Sequence, residues 1–267
     1  NPEPNRPVGL RVRQLTHAWN SAGYRDFAVV RFIVTSQTVL PVHDVWVGLY
    51  SDLASGPRDL YSCWPPSGAC GPGGWFSRKR LEWDPAWRML REHYCRKQPE
   101  PDSCHFELVP PWAGLQLLTP PAAGQHVTLA AWNYAPGSST RDTDAERYAI
   151  VSAGTITDLS DPSLRPRTGD PAELLAVGPF TLPGPDDSLE VAFAFVGGAD
   201  VPSLQQHARS AQALHDAGYR LSLVDAGPPV GPPARLSLVA LANPTFASEP
   251  EFELGLPTRG RVTIELF

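Results

Sequence analysis

The sequence predicts an all-β fold: a β-sandwich with one packed α-helix and a disulfide-pinned irregular insertion. Three observations predict it. Strand-like alternation recurs along the chain and is strongest over 25–53, RDFAVVRFIVTSQTVLPVHDVWVGLYSDL. Proline accounts for 30 of 267 residues, about twice the usual ~5%. Proline suits short strands joined by ordered loops better than helix interiors or central strands. Only one long stretch, 203–217, carries the helical period.

The 25–53 stretch reads as two strands joined by a short connection, and the rest of the fold is expected to assemble around this pair. Ala28, Val30, Phe32 and Val34 make one face wholly apolar, while Phe27, Val29, Arg31, Ile33 and Thr35 make the other mixed. Val45, Val47 and Leu49 alternate with Trp46, Gly48 and Tyr50, so the second run is apolar on both faces and is expected to be central. A first strand is expected over 10–19, with a turn at 21–24. Residues 52–121 read as the insertion. Asp84-Pro85 there predicts a helix start, with Trp87, Leu90 and Tyr94 as its apolar stripe.

Beyond the insertion, HVTLAAWNY (126–134) is a strand, 135–147 a polar loop and 148–153 another strand. Residues 180–188 form a strand end and turn, and LEVAFAFVG (189–197) is an apolar strand expected beside the central pair. The helix over 203–217 has Ser203 as its N-cap, Leu204, Ala208, Ala211 and Leu214 as its buried face, and Gly218 just past its end. Residues 1–225 then form one domain, AGPPVGPP (226–233) a stiff linker, and 234–267 a separate set of strands.

Composition bounds the function. The net charge is −6 and the longest basic run is Arg78-Lys79-Arg80, which excludes the clustered basic face of a nucleic-acid binder. No apolar run approaches the ~20 residues of a membrane-spanning helix. Cys63, Cys70, Cys95 and Cys104 fall within one loop-rich region. Such clustering implies two disulfides and an oxidising, extracellular or cell-surface compartment. Three pairings are open; the local one, Cys63–Cys70 with Cys95–Cys104, closes two short loops and is expected. The start, NPEPNRPVG, has the look of a mature end left by processing or of an artificial boundary.

The candidate sites are few. Trp64, Trp75, Trp83 and Trp112 lie in the insertion, half of the eight tryptophans of the chain. They suit a protein interface, sugar stacking or a small satellite core. Asp142, Asp144 and Glu146 offer oxygen ligands for calcium, without the glycine and distal glutamate of a calcium-binding loop. His93, Cys95, Cys104 and His105 could form a zinc site, but their spacing is not a standard one and disulfides are preferred. No cofactor is expected. Catalytic signatures such as G-x-S-x-G, H-E-x-x-H or a phosphate loop do not occur. His17, His43 and His126 stand apart, and His207 and His215 read as a solvated helix face.

Two segments resemble a non-catalytic, β-rich region of large secreted bacterial exoproteins. They are YRDFAVVRFIVTSQTVLPVHDVWVGLYSD (24–52) and VGPFTLPGPDDSLEVAFAFVGG (177–198), the latter followed by a similar helix over 204–219. Such proteins often end in an immunoglobulin-like domain of the flagellar-hook-capping or type IX sorting kind. LANPTFASEPEFELGLPTRGRVTIELF (241–267) resembles the start of one. The family pattern often has a second acidic residue after the position of Asp52, where this chain has Leu53 and Ala54.

The resemblance implies a partial immunoglobulin-like segment of about three strands, where a complete domain needs roughly seven. Open edges of this kind invite completion by a neighbour. The run Arg261, Val262, Thr263, Ile264, Glu265, Leu266 and Phe267 is the candidate for strand addition. The function expected is structural: a subunit of an extracellular assembly, a filament or surface layer, or a non-catalytic module of a larger exoprotein. Its partners would be copies of itself or other extracellular proteins. A carbohydrate-binding module using exposed tryptophans is the alternative.

Overall fold

A computed structural model describes residues 8–53, 55, 79–95, 108–134, 143–160, 170–219, 237–240 and 252–255. Its backbone is mostly β, in antiparallel sheets, with two helices among the described residues. The strands follow the alternation of the sequence. Strand β1 (Leu10–Ala18) pairs with β2 (Phe27–Ser36), and β2 pairs in turn with β9 (Ser188–Gly198). β6 (Leu108–Leu117), β5 (Met89–Cys95) and β4 (Lys79–Asp84) extend this sheet to six strands in the order β1-β2-β9-β6-β5-β4. A second sheet has three strands, β3 (Val42–Ser51), β8 (Asp170–Leu182) and β7 (His126–Tyr134), with β8 in the middle.

The two sheets face each other across a core that includes Val34, Val47, Leu90, Leu115, Leu129, Leu175, Val191 and Phe193. This is the sandwich core. A second core lies on the other face of the six-stranded sheet. There α2 (Val201–Asp216) lays Leu204, Ala208, Ala211 and Leu214 against Phe27, Val29, Ala192, Ala194 and Val196. β9 serves both cores by strand alternation: Val191 and Phe193 face the sandwich, Ala192 and Ala194 the helix. The alanines on both surfaces let helix and sheet approach closely. Gly198 shows how closely, because a Cβ there would lie 2.5 Å from the Leu204 nitrogen.

The helix cap differs from the expected one. Asp200 is the N-cap, and Ser203 is the third residue of a capping box: Ser203 N donates to Asp200 Oδ1 at 2.7 Å. Gly218 adopts the left-handed conformation just beyond the helix, as its position requires.

Several expectations are corrected. The runs at β2 and β3 are strands, but they do not pair; the chain crosses between sheets after Ser36. β3 is an edge strand, not a central one. It is apolar on both faces because helix α1 (Asp144–Val151) covers its outer face, with Val151 over Gly48, and because Trp46 lies on Gly178. Of that pair, β9 accordingly lies beside β2 only, with β6 on its other side. The insertion is not wholly irregular, since β4, β5 and β6 come from it.

The helix expected after Asp84 is instead the turn of the β4–β5 hairpin. Asp84 Oδ1 accepts from Ala86 N at 3.2 Å, an Asx turn. Asp-Pro begins turns as well as helices, and Leu90 and Tyr94 fall on one face in either periodicity. The strand expected over 148–153, and the end of the polar loop expected before it, give way to α1; residues 135–142 lie outside the described residues. Thr143 and Glu146 close a capping box there, with Glu146 N donating to Thr143 Oγ1 at 3.2 Å. Pro110 and Pro111 sit within β6 where its ladder with β5 is irregular, between Val109 and Ala113.

β10 (Ser237–Ala240) and β11 (Phe252–Gly255) pair antiparallel as a two-stranded ribbon. Residues 226–233 and 261–267 lie outside the described residues, as do Cys63, Cys70 and Cys104; Cys95 ends β5.

Gly198→Ala should destabilise the fold by about 1–3 kcal/mol through overpacking against α2. Phe193→Ala should cost about 3–5 kcal/mol from the sandwich core. Urea unfolding of each variant measures both, and a cost under ~0.5 kcal/mol for either would contradict the two-core arrangement.

Candidate functional site

The three-stranded sheet is narrower than the six-stranded sheet it covers. At its β3 edge it runs out before the larger sheet does. An apolar groove of about 240 Å³ remains open there, lined by Leu10 and Val12 of β1, Phe32 and Val34 of β2, and Val45 to Gly48 of β3. Both β1 and β3 are edge strands, so the groove lies between two backbone edges that carry no further strand among the described residues. The opposite edge of the small sheet is closed differently. On β7, Leu129 N donates to Thr155 O at 2.9 Å and Leu129 O accepts from Thr157 N at 2.8 Å.

Exposed apolar side chains gather at this seam. Seven large hydrophobic residues are exposed among those described, and four of them, Val8, Val12, Val39 and Leu40, lie on or beside β1 and in the β2–β3 connection. Gln37 N donates to Gly9 O at 2.8 Å, which ties that connection to the start of β1. A contiguous apolar surface flanked by open edges is the geometry of a contact site.

A polar cluster is buried inside the sandwich, toward its other side. Lys79 and Glu92 are fully enclosed, as is Glu173. Lys79 Nζ lies 3.8 Å from Glu92 Oε2 and 3.8 Å from Asp52 Oδ1, and it donates to Leu53 O. Ser51 Oγ donates to Glu173 Oε2 at 3.0 Å, and Ser55 N to Glu92 Oε1 at 3.0 Å. Burial pushes the Glu92 carboxyl up to about 7, with the Lys79 ammonium opposing. Burial, with the Glu92 charge added, holds Glu173 well above the ordinary carboxylate range. Sequence reading missed this cluster. The available signal was positional: Lys79 shares the inward parity of Leu81 and Trp83 on β4.

A second polar group sits at the end of α2. Arg31 holds Glu190 with two bonds of 2.8 and 2.7 Å, and its guanidinium lies 4.3 Å from the centre of the Tyr219 ring. Arg31 keeps the Glu190 carboxyl below its ordinary value. His17 stacks on Tyr219 at 5.4 Å, so it is not solitary. His207 and His215 are not a solvated face either. His207 Nδ1 donates to Gly197 O at 2.7 Å, and His215 meets the Tyr219 ring edge-on at 5.8 Å.

The residues expected to form sites fare unevenly. Trp112 is 5% exposed and packs 4.2 Å from the His93 ring, so it offers no face to a sugar. Trp83 is half-buried against the sandwich core. Trp64 and Trp75 lie outside the described residues. Asp144 and Glu146 begin α1; Glu146 is used in its capping box and Asp144 pairs with Arg147 at 3.3 Å. Asp142, Cys104 and His105 lie outside the described residues, and His93 sits 3.7 Å from Glu82. Among the described residues no three metal-ligating side chains come together, and no helix is long and apolar enough to cross a membrane.

Compared with known proteins, no family model and no curated protein matches the chain.

The Glu92 shift sets a pH dependence. Its folded value is raised from the ordinary 4.5 to about 7. Its contribution to stability is therefore full below about 4.5 and is lost as pH rises through about 7. The melting temperature should fall between about pH 5 and pH 8.5, and Glu173→Gln, which removes a second buried carboxyl whose folded value is raised, should flatten that fall. Scanning calorimetry across this range decides it; a rising or level wild-type profile would refute the assignment.

Proposed function

We propose that the chain is a secreted or cell-surface structural protein, a subunit of an extracellular assembly or a non-catalytic module of a larger exoprotein. One observation carries this reading: the apolar seam between the edges of β1 and β3, which carry no further strand among the described residues. A single sheet edge is common, but two edges framing a groove with exposed Val12 at its rim form a surface suited to another polypeptide. The resemblance of 24–52 and 177–198 to exoprotein β-regions agrees with it, since those segments supply β2, β3 and β9. The four clustered cysteines agree with an oxidising compartment. The partial immunoglobulin-like segment, beginning with the β10–β11 ribbon, would be a second contact element.

The glycan-binding alternative is weaker, because Trp112 is enclosed. In the favoured reading the chain performs no catalytic step. Its buried carboxylates Glu92 and Glu173 serve the interior of the fold.

Light scattering with negative-stain microscopy tests the proposal. Wild-type protein should form oligomers or filaments at micromolar concentration. Val12→Lys should abolish them, while shifting stability by no more than about 0.5 kcal/mol, because Val12 is exposed. Assembly by Val12→Lys at wild-type concentrations would place the contact elsewhere.

A further inference from the structure

The seam has a definite shortfall. Across from β1 and the outer part of β2, the small sheet has no strand among the described residues. A strand added to the free edge of β3, at the usual ~4.8 Å spacing, would lie over Leu10, Val12 and Phe32 and close the sandwich. Its requirements follow from this placement. Every second residue must be large and apolar, to fill the groove. The alternate residues must be polar, because they continue the outer face. Proline must be absent, since the backbone has to pair.

We propose that this strand is Arg261–Phe267 of a second copy of the chain. The inference rests on the assembly reading above and supplies the partner for that surface. RVTIELF places Val262, Ile264 and Leu266 on one face, and Thr263 and Glu265 on the other, with no proline or glycine. Three of its seven residues are β-branched, as pleated pairing favours. Seven residues extend about 23 Å, enough to run along β3 from Val45 past Leu49. The run 220–225, RLSLVD, places only Leu221 and Leu223 in that alternation and is the poorer fit. Donor and acceptor are different surfaces, so each copy gives one strand and receives one. Such head-to-tail contacts generate open chains or rings.

A complementation experiment tests this in the full-length protein. Val12→Lys blocks the acceptor and keeps the donor; Ile264→Lys blocks the donor and keeps the acceptor. Each alone should be monomeric by light scattering, with an unchanged circular dichroism spectrum. Mixed one to one, they should form pairs of twice the single-chain mass and nothing larger, because only one junction remains. As a check that needs no variant, excess free RVTIELF peptide should dissolve wild-type assemblies, and a peptide of the same composition without the alternation should not. If Ile264→Lys assembles normally while Val12→Lys does not, the donor is a different strand, and only the seam survives. If both assemble normally, or the wild type is monomeric, the seam itself fails as the contact.

Discussion

The β2–β9 ladder is the constraint on which the structure depends. Nine consecutive residue pairs, from Phe27–Val196 to Thr35–Ser188, fix one register. A shift of one residue would exchange the two faces of each strand. Phe193 would then meet α2 and Ala194 the sandwich interior, and neither space would fit its new occupant. The register is thus held by two cores at once: a wide one filled by Val191 and Phe193, and a shallow one filled by alanines. This explains why a helix with only small and medium side chains on its buried face packs so near the sheet. It also explains why Gly198, at the end of β9, has no room for a Cβ.

The remaining architecture follows from unequal sheets. Six strands cannot be covered by three. On the β4–β5 side the inward surface is polar as well as apolar: Lys79 lies between Glu92 and Asp52, Ser51 donates to Glu173, and the Ser55 backbone donates to Glu92. An enclosed ammonium between carboxylates is costly relative to a hydrophobic filling. On the β1 side nothing comparable covers the apolar residues among the described residues, and the seam stays open there. One architectural mismatch thus accounts for both the buried charge cluster and the exposed groove. The proposed assembly uses the groove and leaves the cluster as an internal, pH-sensitive element.

Particular residues show where sequence reasoning works and where it stops. The four residues assigned to the buried face of α2 are the four that are buried. β1, β2, β7 and β9 lie where alternation puts them. The misassigned segments share a cause: local signals with two structural meanings. Asp84-Pro85 begins a helix or a turn, and the partner strand decided for the turn. Tyr148 to Val151 is apolar enough for a strand, and the Thr143–Glu146 box upstream decided for a helix. Tryptophans looked like surface candidates because they are concentrated in one region, yet Trp112 is packed inside against His93.

By itself, the sequence determined the β-rich class, the main strands and the helix that covers one sheet. These depend on periodicity, which is a property of neighbours along the chain. Only the tertiary structure decided that β2 and β3 belong to different sheets, that β3 is an edge, and that Lys79 meets Glu92 and Asp52. Those are relations between residues far apart in the chain, and alternation says which way a side chain points without saying what it faces. The candidate site is of this kind. Leu10, Phe32 and Val45 become a groove through the arrangement of three strands, none of which carries a motif.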